Sequence, residues 1–226
     1  MRNLNLKKLS VVSGLMLCLF IFNSTCLASS VPIVADPSES SNTNSYGRFT
    51  GTITYDATSN SLATLTFNLN NTTDINIGGF LTAFVFNNPD STKITGWSLT
   101  GSPTGFQLFT SASANPFGTF DFLISAQGND FEGGGKPKGI AAGSSGTFIL
   151  SLTGNNLLSL DVQDFINATT SSSKGDQFFV ARFKGFNNVT PDSDKVPANA
   201  VPIPGAAWLF GSGLLGLVAL KRKLKG

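Results

Sequence analysis

Between residues 47 and 188, apolar and polar side chains alternate at every second position, in short stretches that recur along the chain. Ile53 and Tyr55 are interleaved with Thr52 and Thr54, and Leu65, Phe67 and Leu69 with Thr64, Thr66 and Asn68. Successive side chains of a strand point to opposite faces, so each stretch predicts a strand with one face in a core and the other in water. The pattern returns in GTFDFLI (118–124), where Phe120, Phe122 and Ile124 share a face, and in GTFILSLTG (146–154), where Phe148, Leu150 and Leu152 do. In QFFVARFKGF (177–186), Phe179, Ala181 and Phe183 face away from Arg182 and Lys184. FLTAFVFN (80–87) is apolar on both faces, which predicts a central strand. Turn formers separate these runs: DATSNS, NNPDST, GSPTG and GGGKPKG. Only LLSLDVQDFI (157–166) carries a helical period, and it is short.

Many short strands with regular turn signals predict an all-β fold. The expected form is a single antiparallel β-sandwich over 47–188, of jelly-roll-like or immunoglobulin-like topology. Seventeen of the twenty Phe fall in this stretch. Each buried ring contributes about 2–3 kcal/mol and needs no hydrogen-bond partner. Residues 29–46, polar and rich in Ser and Pro, read as a linker, and 189–200 as a second one.

The two ends have a different character. Arg2, Lys7 and Lys8 precede the apolar run LSVVSGLMLCLFIF (9–22), and CLA at 26–28 places small residues before a cut. This is the layout of a secretory signal peptide, 1–28, cleaved after Ala28, and it implies Sec machinery and signal peptidase as partners. The fourteen-residue apolar run spans about 21 Å as a helix, short of the ~30 Å hydrocarbon core, which disfavours a permanent span. A lipid-modified Cys26 would call for Leu three residues earlier, where Asn23 stands.

Charge follows the same division. All thirteen Asp and Glu lie between 29 and 200, against eight of the fifteen Lys and Arg, so the exported part carries −5. An acidic body without a basic stripe argues against nucleic-acid binding. Cys18 and Cys26 both fall in the signal segment and there is no His. Ser-His-Asp triads, thiol nucleophiles and the common Cys/His zinc sites are therefore absent from the mature chain. SSSK (171–174) matches S-x-x-K, yet lacks the companion K-T-G and sits in a polar loop. In GNDFEGGGKPKG (128–139), Asp130 and Glu132 offer oxygen ligands to Ca²⁺, but the spacing is not that of a calcium loop and a solvated hairpin loop explains it as well. Carboxylates remain as the only catalytic candidates, and nothing in the sequence marks a pair of them. The reading is non-enzymatic, with no metal or cofactor. Trp97 is expected in the core or at its rim; a sugar-binding face would need it, or Tyr46 or Tyr55, exposed on a concave sheet.

The last 26 residues, VPIPGAAWLFGSGLLGLVALKRKLKG, hold a twenty-residue uncharged stretch, Val201 to Leu220, which as a helix reaches the ~30 Å needed to span a bilayer. GSGLLG (211–216) spells a dinucleotide fingerprint, but no strand precedes it and no acidic residue follows. Lys221, Arg222, Lys223 and Lys225 would hold the C-terminus in the cytoplasm, leaving the body outside, with Trp208 at the outer interface. Pro202 and Pro204 keep the preceding backbone extended, a form a peptidase can grip.

Motif, apolar helix and basic tail, in that order at the extreme C-terminus of an exported chain, resemble the PEP-CTERM sorting signal of Gram-negative bacteria. Val201, Pro202, Ile203 and Pro204 match its VPIP variant, with Ile203 where the P-E-P form has an acidic residue. The resemblance implies an exosortase, a multi-spanning membrane peptidase, as partner. It also implies a transient inner-membrane intermediate and release to the cell surface or an exopolysaccharide matrix. The expected role is that of a structural or adhesive surface component in a biofilm context. The alternatives are a carbohydrate-binding module and an envelope protein permanently anchored by its tail.

Overall fold

Wherever the sequence alternates, the chain is extended. The computed structural model describes residues 28–132 and 138–201. The strands are β1 (Ser29–Ala35), β2 (Phe49–Ala57), β3 (Leu62–Asn71), β4 (Gly78–Phe86), β5 (Ile94–Gly101), β6 (Gln107–Ser113) and β7 (Thr119–Ser125). They continue with β8 (Ile140–Ala141), β9 (Ser145–Gly154), β10 (Thr170–Ser172), β11 (Gly175–Gln177), β12 (Phe179–Phe186) and β13 (Ser193–Ala200). The short helical period resolves into a 3-10 turn at Leu157–Ser159 and a six-residue helix, α1 (Val162–Asn167). Asp161 caps α1 by accepting from the Gln163 N–H, while Asp164 accepts from the Asp161 N–H. This reciprocal pair satisfies two of the helix's open donors.

Eleven strands form one antiparallel sheet in the order β5-β9-β3-β2-β1-β13-β12-β4-β7-β6, with β8 paired to β4; β10 and β11 make a separate hairpin. The sheet curls until it nearly closes. Its two end strands, β5 and β6, approach each other without a shared ladder among the described residues. Between the halves lies the Phe core: Phe67 of β3 meets Phe84 of β4 at 5.2 Å between ring centres, Phe84 meets Phe148 of β9 at 4.9 Å, and Phe49 of β2 meets Phe179 of β12 at 5.6 Å. Tilted and edge-on pairs of this kind add about 0.5–1.5 kcal/mol each to the burial itself.

β4 is central, between β12 and β7, as its two-sided apolarity predicts. Its outer face, Ala83 and Val85, is covered by a second buried cluster that includes Phe117 and Phe131 from neighbouring loops. Phe122 and Ile124 of β7 join the main core, whereas Phe120, expected on the same face, belongs to this second cluster.

The two expected linkers need correction, because both contain strands in mid-sheet. β1 pairs with β2 from Ser29 to Val34 and with β13 at Ile33, Val34 and Ala35, and β13 pairs with β12. The folded body therefore runs from Ser29 to Ala200, not from Gly47 to Asn188. Val31, Ile33, Ala35, Val196 and Ala198 are buried, but they are small or few, and Pro32 and Pro197 suppress a strand reading.

Between β1 and β2, the chain is clamped by one carboxylate. Asp194 of β13 is 2% exposed. It accepts from the hydroxyls of Ser40 and Ser45, the amide of Asn42, and the backbone N–H groups of Tyr46 and Gly47. A buried charge is tolerable when its lone pairs are filled in this way. Gly47 is required here: a Cβ would lie 2.5 Å from the Phe183 ring.

Candidate functional site

The sequence points to its two ends, and the first and last strands of the body are neighbours in the sheet. Ala28, exposed, is the residue before β1, and Val201 is the residue after β13. β1 and β13 run antiparallel with Ile33 opposite Ala200, so the end of β13 meets the middle of β1, and the Val201 N–H donates to the Pro32 carbonyl at 2.8 Å. Val201 is 41% exposed. Pro202, Ile203, Pro204, Trp208, Lys221, Arg222, Lys223 and Lys225 lie outside the described residues, as does the segment before Ala28 expected to be a signal peptide. No helix among the described residues is long and apolar enough to cross a membrane.

The body's own candidate site lies at the seam where the sheet fails to close. Trp97 of β5 is half-buried there, held by packing: its ring centre is 4.3 Å from Phe122, 5.9 Å from Phe86 and 6.3 Å from Phe165. The indole Nε1–H has no acceptor among the described residues. Beside Trp97 opens a hollow of about 940 Å³, walled on the far side by Leu108, Phe109, Thr110 and Ser111 of β6. That volume is at the upper end for a small-molecule site.

A second hollow of about 550 Å³ continues the first, sharing Asn88, Ser91, Thr110 and Phe122 with it and adding Asp90 and Asp121. The turn between β4 and β5 that forms this end is rigidly wired. Asn88 donates its backbone N–H to Asp121 and its side-chain amide to the Ile94 carbonyl, while accepting from the Asp90 N–H. The Asp90 carboxyl is held below its ordinary value, first by the Thr92 hydroxyl at 2.5 Å, then by the N–H groups of Thr92 and Lys93 and the Lys93 ammonium. It is ionised at neutral pH, and its charge faces solvent at the groove.

The remaining sequence candidates fall elsewhere. Glu132 forms an ion pair with Lys195, and Asp130 accepts from the Glu132 N–H at 2.8 Å. Among the described residues no three His, Cys, Asp or Glu side chains gather in a way that could hold a metal. SSSK occupies the β10–β11 hairpin, where the Ser172 hydroxyl donates to the Gly175 carbonyl and accepts from the Lys174 N–H. Tyr55 is buried, its hydroxyl donating to the Leu157 carbonyl at 2.8 Å, and Tyr46 packs on Phe186. Of the three residues considered for a sugar face, only Trp97 lines the groove. The groove's other members escaped the sequence reading, because Ser, Thr and Asn on exposed strand faces look alike wherever they stand. Comparison with protein-family models, with curated proteins and with solved structures gave no match.

Proposed function

We propose that this chain is an exported, non-enzymatic protein of the cell envelope or extracellular matrix, delivered through a C-terminal exosortase-type signal and acting there as a structural or adhesive component. We take the two facing halves of its sheet as a β-sandwich that serves as the delivered cargo. The observation that carries the reading is the position of the last strand. β13 ends at Ala200, and the VPIP motif begins at Val201. A cut within or after the motif would leave every sheet pairing intact, whereas a cut a few residues earlier would enter a strand in the middle of the sheet. The apolar stretch and the four basic residues that follow supply the membrane hold needed until that cut.

Intact-mass measurement of the protein from membrane, surface and medium fractions tests this. The expected mature species begins at Ser29 and ends within or just after 201–204. A protein still ending at Gly226 in every fraction overturns sorting and leaves permanent tail anchoring in its place.

A further inference from the structure

The seam groove gathers polar side chains and aromatic rings in one lining. Ser91, Thr110, Ser111 and Asn129 line it and are exposed, and none of their side chains forms a hydrogen bond with another described residue. Free side chains of this kind also occur on the open strand faces, Thr66 and Ser98 among them. Aromatic rings stand among the free hydroxyls and amides, Trp97 and Phe109 both half-buried. None of the residues lining the larger hollow is charged.

A ligand that fits such a lining presents flat C–H faces to the rings and hydroxyls at its edges, and carries no formal charge. A chain of neutral sugars has this make-up. The adjoining hollow sharpens the choice. Asp90 and Asp121 can accept hydrogen bonds from sugar hydroxyls but repel carboxylated, sulfated or phosphorylated polymers. The two hollows are continuous and open, which suits an extended chain better than a single enclosed molecule.

The other occupant of a sheet seam would be a polypeptide strand, and both edges are built against it. β5 slips register against β9 between Ile94 and Gly96 and again between Leu99 and Gly101. β6 runs unbroken, but Ser111 within it has φ of 57° and makes no pair with β7, while the register on either side is unchanged. A bulged edge on one side and a left-handed residue in the other disturb the regular row of donors and acceptors that an added strand would need.

We propose that the groove between β5 and β6 binds a segment of extended neutral polysaccharide, with Trp97 as its stacking platform and Ser91, Thr110, Ser111 and Asn129 as hydrogen-bonding groups. This rests on the reading of the chain as a matrix component but is tested apart from it, because binding in solution does not depend on where the cell delivers the protein.

The experiment uses the full chain in a non-glycosidic detergent, in affinity electrophoresis through gels containing the neutral or the acidic fraction of the polysaccharide shed by the producing cells. Retardation is expected in the neutral gel only. Thr110→Arg, an exposed change that plants a bulky cation in the groove, is expected to weaken retention at least tenfold with an unchanged melting temperature. In a Trp208→Phe background Trp97 is the sole indole, and its emission should shift on saturation with the neutral fraction. Equal migration in both gels, preference for the acidic fraction, or full retention by Thr110→Arg overturns the proposal. Failure here with correct C-terminal processing would remove the groove's role and leave the sorting intact.

Discussion

Replacing Asp194 with Ala tests whether the segment between β1 and β2 belongs to the folded body. Five donors converge on this carboxylate. Asn42, Ser45 and Tyr46 are partly exposed and can turn to water, but the bonds from Ser40 and from the Gly47 N–H are buried. Each buried donor left without an acceptor costs about 1–3 kcal/mol, so two give roughly 4 kcal/mol. A body of this size loses about 2–4 °C per kcal/mol, so the melting temperature should fall by about 12 °C. Asp194→Asn keeps one carbonyl acceptor and should lose about half as much. Circular-dichroism melts give the global effect, and amide exchange over residues 40–47 shows whether the segment loosens first. A fall of less than about 3 °C for Asp194→Ala, with exchange in 40–47 unchanged, would refute the assigned role of this carboxylate.

Truncation after Ala200 should cost only the Val201–Pro32 hydrogen bond, a shift of at most about 6 °C in thermal melts, whereas truncation after Asp192 deletes β13 and should abolish cooperative unfolding. The Asp36 carboxyl lies below its ordinary 3.8, chiefly through the Ser38 hydroxyl and also the Asn199 amide. Its contribution to stability is therefore complete above the unfolded value and is lost as pH falls through the lower folded one. Melts from pH 7 to 3 should decline mainly below about pH 4, and Asp36→Asn should flatten that part of the curve.

The strands of the Phe core were legible because each repeats a bulky apolar residue at every second position, and in β2, β3 and β9 the inward faces match the alternation. β1 and β13 were not legible. Their inward residues are Val, Ile and Ala at low density, interrupted by Pro32 and Pro197, and β13 turns a charge, Asp194, inward. Composition averages misjudge such strands, since what buries them is pairing with β2 and β12 on either side. Trp97 could be placed at a rim from its neighbours in sequence. The groove itself could not, because it is made by strands β5 and β6 meeting after the sheet has curled, a relation set by the order of all the strands between them.

The position of β13 also governs timing. It is the last strand to emerge during synthesis, yet it is the one that joins the two halves, lying between β1 and β12. A nascent chain still short of Ala200 can form hairpins and pack their Phe faces but cannot complete the ladder between the halves, so completion of the sheet waits until nearly all of the body has been synthesised. Pairings this distant in sequence form slowly. The fold thus carries a built-in delay: the ladder that joins its two halves forms only once its final eight residues are in place.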